Sequence, residues 1–161
     1  MSAKWRVRHD RAGDNAAPSA VSLTVNDTAS RGSCVTASID PIIVSLIRHR
    51  LLAIVEEMGE AMLRTAYSQI LNSSRDFSTA ICDLDGRLIA QAEHVPIHVG
   101  ALPFAARAVT EYFGEDIHEG DVFLLNDPYH GGNHLPDLTA FVPVCEGDRP
   151  RFWSINRAHQ S

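Results

Sequence analysis

Apolar residues recurring at three- and four-residue steps constrain this chain more than any other feature. Ile43, Ile47, Leu51, Ile54, Val55, Met58, Met62 and Ala66 follow that spacing, while Arg48, Arg50, Glu56, Glu57 and Glu60 fall largely between them. Only a helix gathers such residues onto one stripe. Asp40 is placed to cap it and Pro41 to occupy its first turn, so a long helix is expected from there to about Tyr67. A stripe of that length requires a cover, and the downstream sequence reads as strands. Phe77 to Cys82 and Arg87 to Gln91 flank the turn Asp83-Leu84-Asp85-Gly86, a β-hairpin pattern. Val122 to Leu125, Leu138 to Val144 and Arg151 to Asn156 are three more strand-like runs, separated by turn residues. Leu102 to Phe113 reads as a second, shorter helix, with Pro103 in its first turn and Gly114 just past its end. The expected fold is α+β, a long N-terminal helix packed on a mainly antiparallel sheet.

Residues 1–38 mix charges with Ala, Ser, Thr, Gly and Asn without apolar periodicity, and they are expected to form a disordered extension. The domain then occupies residues 39–161. Fourteen Lys and Arg against twenty Asp and Glu give a net charge of −6, which removes the positive field that nucleic-acid binding requires. No apolar run approaches the roughly 20 residues of a membrane-spanning helix, and no apolar core follows the basic start, so a cytoplasmic location is the expectation. Cys34, Cys82 and Cys145 are odd in number and far apart, which fits reduced thiols better than a disulfide frame.

The chemistry concentrates between the strands ending at Leu125 and starting at Leu138. That loop holds Asp127, His130, His134 and Asp137 around Gly131-Gly132. His134 and Asp137 are separated by Leu135-Pro136, and the proline restricts the backbone on both of its sides, so the two side chains can be held at one point. His159 ends the following strand, and neighbouring strands lie only about 4.8 Å apart. Imidazole and carboxylate together suit a divalent cation such as zinc, manganese or iron(II). Histidine and aspartate also populate loops for turn chemistry alone. His130 is read as an exposed loop residue and Asp127 as a turn former. Asp76, just before the Phe77 strand, reads from the residues alone as the ion-pair partner of Arg75 rather than as a further ligand. His94 and His98 stand four apart, but Pro96 prevents a regular helix from joining them. They either line a substrate pocket as acid, base or hydrogen-bond donor, or serve as a buried residue and a helix cap. No nucleophile elbow and no phosphate-cradling glycine loop is present, so any ATP chemistry belongs to a partner.

From Asp40 to Ser161 the chain resembles the N-terminal part of the hydantoinase B family, which includes the B half of 5-oxoprolinase and the alpha subunits of acetone carboxylases. The resemblance is carried by Ser74-Arg75-Asp76-Phe77-Ser78, by Ala90 to Gly100, by Gly120 to Tyr129, by His134-Leu135-Pro136-Asp137 and by Asn156-Arg157-Ala158-His159. It implies a metal held by His134, Asp137, His159 and Asp76. It further implies a hydantoinase A-like partner subunit that spends ATP to phosphorylate a carbonyl or enol oxygen, leaving the activated intermediate to the B-type subunit. Hydrolysis of a cyclic amide of the 5-oxoproline or hydantoin type is the expected reaction, with ketone carboxylation as the alternative. Members of the family run to several hundred residues, so an incomplete domain is expected here. A non-catalytic remnant that only binds its A-type partner is the competing expectation.

Overall fold

Asp40 does cap the first helix: its side chain accepts a hydrogen bond from the Ile42 N–H at 2.9 Å, and Pro41 begins α1, Pro41–Thr65. The computed structural model describes residues 4–8, 40–67, 70–92 and 96–160. Strand β1 is Lys4–Arg8, β2 is Phe77–Asp83 and β3 is Leu88–Ala92. A second helix, α2, spans Pro96–Phe113, and β4 (Asp121–Leu125), β5 (Asp137–Glu146) and β6 (Arg149–His159) complete the chain. The α+β expectation holds. Among the described residues every strand pairing is antiparallel, in one six-stranded sheet of order β1-β4-β5-β6-β2-β3.

The two helices lie on opposite faces of that sheet. Alternation along β2 sends Ala80 and Cys82 toward α2, where they join Leu102, Ala105, Ala106 and Val109 with Phe123, Phe141, Trp153 and Ile155 in the main core. Thr79 and Ile81 point the other way. Ile81 packs with Val55, Ala90 and Ala92 beneath α1, and the Thr79 hydroxyl donates to the Val55 carbonyl at 2.8 Å. Trp153 is fully buried, edge-on to both Phe123 and Phe141, and its indole N–H donates to Thr110 Oγ1 at 2.9 Å. A buried indole thus keeps its one donor satisfied.

The structure departs from the sequence expectation most clearly at the second helix, in the N-terminal segment and beneath the first helix. The second helix starts six residues early, at Pro96 rather than Leu102, which leaves Pro103 inside it. Both prolines suit a first turn, and Pro103 gives up one helical hydrogen bond for its interior place. Within the segment expected to be disordered, Lys4–Arg8 forms an edge strand paired with β4; five alternating residues suffice when a ready-made edge supplies the hydrogen bonds. The α1 stripe, finally, is covered along its C-terminal half only. Twenty-five helical residues extend about 37 Å, whereas the seven residues of β2 reach about 23 Å. Val55 is buried, while Ile43, Leu46 and Ile47 near the helix start stay exposed. Cys82 is buried and unpaired with another cysteine, Cys145 is a half-buried free thiol, and Cys34 lies outside the described residues. Among the described residues no helix is long and apolar enough to cross a membrane.

Candidate metal centre

The loop between β4 and β5 is fixed from both ends. Asp127 caps a single 3-10 turn, Pro128–His130, by accepting from the Tyr129 N–H at 3.0 Å, and Gly131 ends the turn at φ 86°, in the left-handed region. A side chain at Gly131 would stand 2.4 Å from the Ala105 backbone nitrogen, so only glycine lets this turn lie against α2. Farther along, the Asn126 amide donates to the Leu135 carbonyl at 3.0 Å, the Asp137 N–H to the His134 carbonyl at 2.9 Å, and the Gln160 N–H to the Pro136 carbonyl at 2.8 Å. The stretch around His134 is therefore anchored to the start of β5 and the end of β6.

Strand register then assembles the site. Asp137 opens β5 directly opposite His159, the last residue of β6. The Asp137 carboxylate is fully buried; one oxygen lies 2.7 Å from His134 Nδ1 and the other 3.1 Å from His159 Nδ1. The imidazoles stack with centroids 5.1 Å apart, and one donor atom from each of the three residues falls within 4.8 Å of the others. Two imidazoles and a carboxylate form a donor set for zinc, manganese or iron(II), with positions to spare for a small oxygen ligand. The backbone already holds them together, so the residues fit such an ion without refolding.

Asp76 stands at the rim: its carbonyl accepts the His159 N–H at 3.1 Å, although its carboxylate is not in the set of three. The residue before it, Arg75, sits at φ 49°, a left-handed conformation uncommon for a side-chain-bearing residue and one that clusters at functional sites. His94 lies outside the described residues. His98 falls in the first turn of α2, and its side chain too lies outside the described residues.

Arg157 is the residue that sequence reasoning passed over. It is fully buried, donates through Nε to Thr139 Oγ1 at 2.7 Å and through Nη2 to the Gly131 carbonyl at 3.1 Å. Burial pulls its guanidinium down to about 10, and the Asp137 carboxylate works in the opposite direction. It remains charged at neutral pH and supplies the cation that a buried carboxylate requires. The signal was in the alternation: Trp153, Ile155, Arg157 and His159 share one strand face, so an arginine occupies a core-facing position beside a candidate ligand. Asp127 and His130, read as a turn former and an exposed residue, form a pair in which Asp127 Oδ2 meets His130 Nδ1 at 2.5 Å.

Comparison with known proteins agrees with this architecture. The family model described as hydantoinase B/oxoprolinase matches residues 40–161. The 5-oxoprolinase of Dictyostelium discoideum is 39% identical over 131 residues, covering 81% of this chain and 10% of that protein. The caprolactamase subunit beta of Pseudomonas jessenii is 34% identical over 122 residues, or 76% of this chain and 21% of the subunit. The crystal structure of the ATP-dependent caprolactamase from Pseudomonas jessenii superposes with a TM-score of 0.70 at 33% identity, covering 76% of this chain and 21% of that one. The chain thus spans between about a tenth and a fifth of the length of these relatives. With its fold and its sequence in agreement, the chain belongs to the hydantoinase B/oxoprolinase family.

Proposed function

We propose that this chain is the metal-site segment of a subunit that hydrolyses a cyclic amide of the 5-oxoproline or hydantoin type after ATP-dependent phosphorylation of its carbonyl oxygen. The observation that carries the reading is the convergence of His134, Asp137 and His159 on one point at the ends of β5 and β6. Asp76, beside His159, is the proposed fourth ligand. A hydantoinase A-like partner in the same cytoplasmic complex performs the phosphorylation. Hydrolysis is favoured over carboxylation because relatives sharing more than 30% identity bear the names 5-oxoprolinase and caprolactamase.

When bound, a divalent zinc, manganese or iron ion supplies Lewis acidity, which polarises a substrate oxygen and makes water acidic enough to act near neutral pH. The chain's own residues set the geometry. Asp137 brings its carboxylate within 2.7 Å of His134 Nδ1 and 3.1 Å of His159 Nδ1, Arg157 balances the buried carboxylate, and the Gly131 turn keeps the loop from drifting off α2. His94 and His98 remain proposed contributors to the substrate side.

Elemental analysis of the full-length protein assembled with its partner is the test, followed by ATP-dependent turnover of 5-oxoproline, hydantoins and caprolactam. The expected result is about one divalent ion per chain, lost in His134→Ala and in Asp137→Ala, with ring opening that requires ATP. A metal-free protein, or one whose metal content is untouched by both substitutions, overturns the reading.

A further inference from the structure

The ligand-bearing loop contains a second histidine–carboxylate pair that the metal set does not use. Asp127 is 3% exposed, and the local backbone locks it: Oδ1 accepts from the Tyr129 N–H, and its carbonyl accepts from the N–H groups of His130 and Gly132 at 3.1 and 2.9 Å. Oδ2 is committed to His130 Nδ1 at 2.5 Å, while the His130 side chain is 51% exposed. A helix cap requires only one of the two carboxylate oxygens. The second oxygen instead fixes the orientation of an imidazole whose other nitrogen, Nε2, is left to meet a solute. A buried carboxylate on Nδ1 and a presented Nε2 is the arrangement that orients a histidine for proton transfer.

Its neighbourhood ties this pair to the metal set. The next carbonyl along, that of Gly131, accepts from Arg157, and Arg157 shares a strand face with His159 two residues on, a separation of roughly 7 Å. Arg157 thus connects the two: it donates to the carbonyl of the residue after His130, and its charge acts with that of Asp137 in the metal set.

We propose that His130 is the residue that moves protons during ring opening, and that Asp127 is its positioning residue; this rests on the hydrolase reading given above. For an O-phosphorylated cyclic amide the step balances with one water. The water oxygen bonds to the ring carbon and becomes its new carbonyl oxygen, the carbon–nitrogen bond breaks, and both water protons end on the departing nitrogen, leaving an acyl phosphate and an amine. His130 Nε2 takes each proton from oxygen and delivers it to nitrogen, and the imidazole is unchanged at the end. A second water then converts the acyl phosphate to carboxylate and phosphate.

The experiment uses the full-length protein with its partner, ATP and a lactam the wild type hydrolyses. His130→Gln lowers kcat by about 10²- to 10⁴-fold, with KM and metal content at wild-type values. Asp127→Asn keeps the cap through Oδ1 and lowers kcat by roughly tenfold or more, because the amide cannot hold the same ring orientation. Added imidazole restores activity to His130→Ala, a response that a merely structural role would not give. Retention of kcat within about threefold in His130→Gln at wild-type metal content overturns the proposal alone. A wild-type assembly that binds no metal and opens no lactam overturns this proposal together with the reading beneath it, so the two failures are told apart.

Discussion

Single residues decide whether the buried charges of this site are tolerable. Arg157 and Asp137 are both fully buried, and removing one member of such a set leaves the other charge without compensation. Arg157→Met is therefore expected to lower stability by about 3–5 kcal/mol, read as a shift in the denaturant midpoint. Arg157→Lys keeps the charge but lacks the planar fork that reaches Thr139 and Gly131 together. Its expected effect is a metal affinity about 10- to 100-fold weaker, measured by competition with a chelator, in a protein that still folds. Cys82 gives a contrasting case of burial. Removal from water pushes its thiol up to about 12, with the neighbouring Asp83 acting in the same direction. The unfolded thiol ionises first, so its contribution to stability is complete below about 9 and is lost as pH rises toward about 12. In native protein at pH 8 a thiol reagent should titrate Cys145 and spare Cys82 until denaturant is added; equal reaction rates would contradict the core assignment.

At the level of elements, backbone turns do as much as side chains. Gly131 and Gly147 both lie in the left-handed region, at φ 86° and 58°, yet a Cβ on Gly131 meets α2 while one on Gly147 meets nothing within 4 Å. Alanine at either position is expected to cost about 1 kcal/mol in backbone strain. Gly131→Ala must in addition push the ligand loop off Phe104 and Ala105, so it alone should weaken metal binding, with Gly147→Ala as the control in the same titration. What the sequence revealed follows from the same locality. The α1 cap, the β2–β3 hairpin and the β5–β6 turn were legible because each is written in a few neighbouring residues. The start of α2 was not, since Pro96 and Pro103 carry the same signal. Nor was the placement of β6 between β5 and β2, because pairing strands so distant in the chain depends on register and core packing. His134, Asp137 and His159 could be named from their spacing and family resemblance, whereas the role of Arg157 became visible only when the strand face it occupies was known.

In the molecule as a whole, the site lies where its stability can be read. β6 is a central strand, and its final residue His159 meets Asp137 at the start of β5 and the Asp76 carbonyl just before β2. A cation held by His134, Asp137 and His159 ties the loop and the start of β5 to the end of β6, and it can bind only where those strands are paired. Such a ligand stabilises the folded state by about 2.7 kcal/mol at a free concentration 100 times its dissociation constant. For a chain of 161 residues this corresponds to a rise in melting temperature of roughly 5–11 °C. His134→Ala should abolish the rise, since it removes a donor without touching the strand pairing. Asp76→Ala separates two coordination schemes, because the His159 N–H bonds to the Asp76 backbone carbonyl, which the substitution leaves in place. If the carboxylate of Asp76 swings in as a fourth ligand, the metal-dependent rise shrinks while the metal-free melting temperature changes little. A rise equal to that of the wild type would instead mean that His134, Asp137 and His159 hold the ion without it.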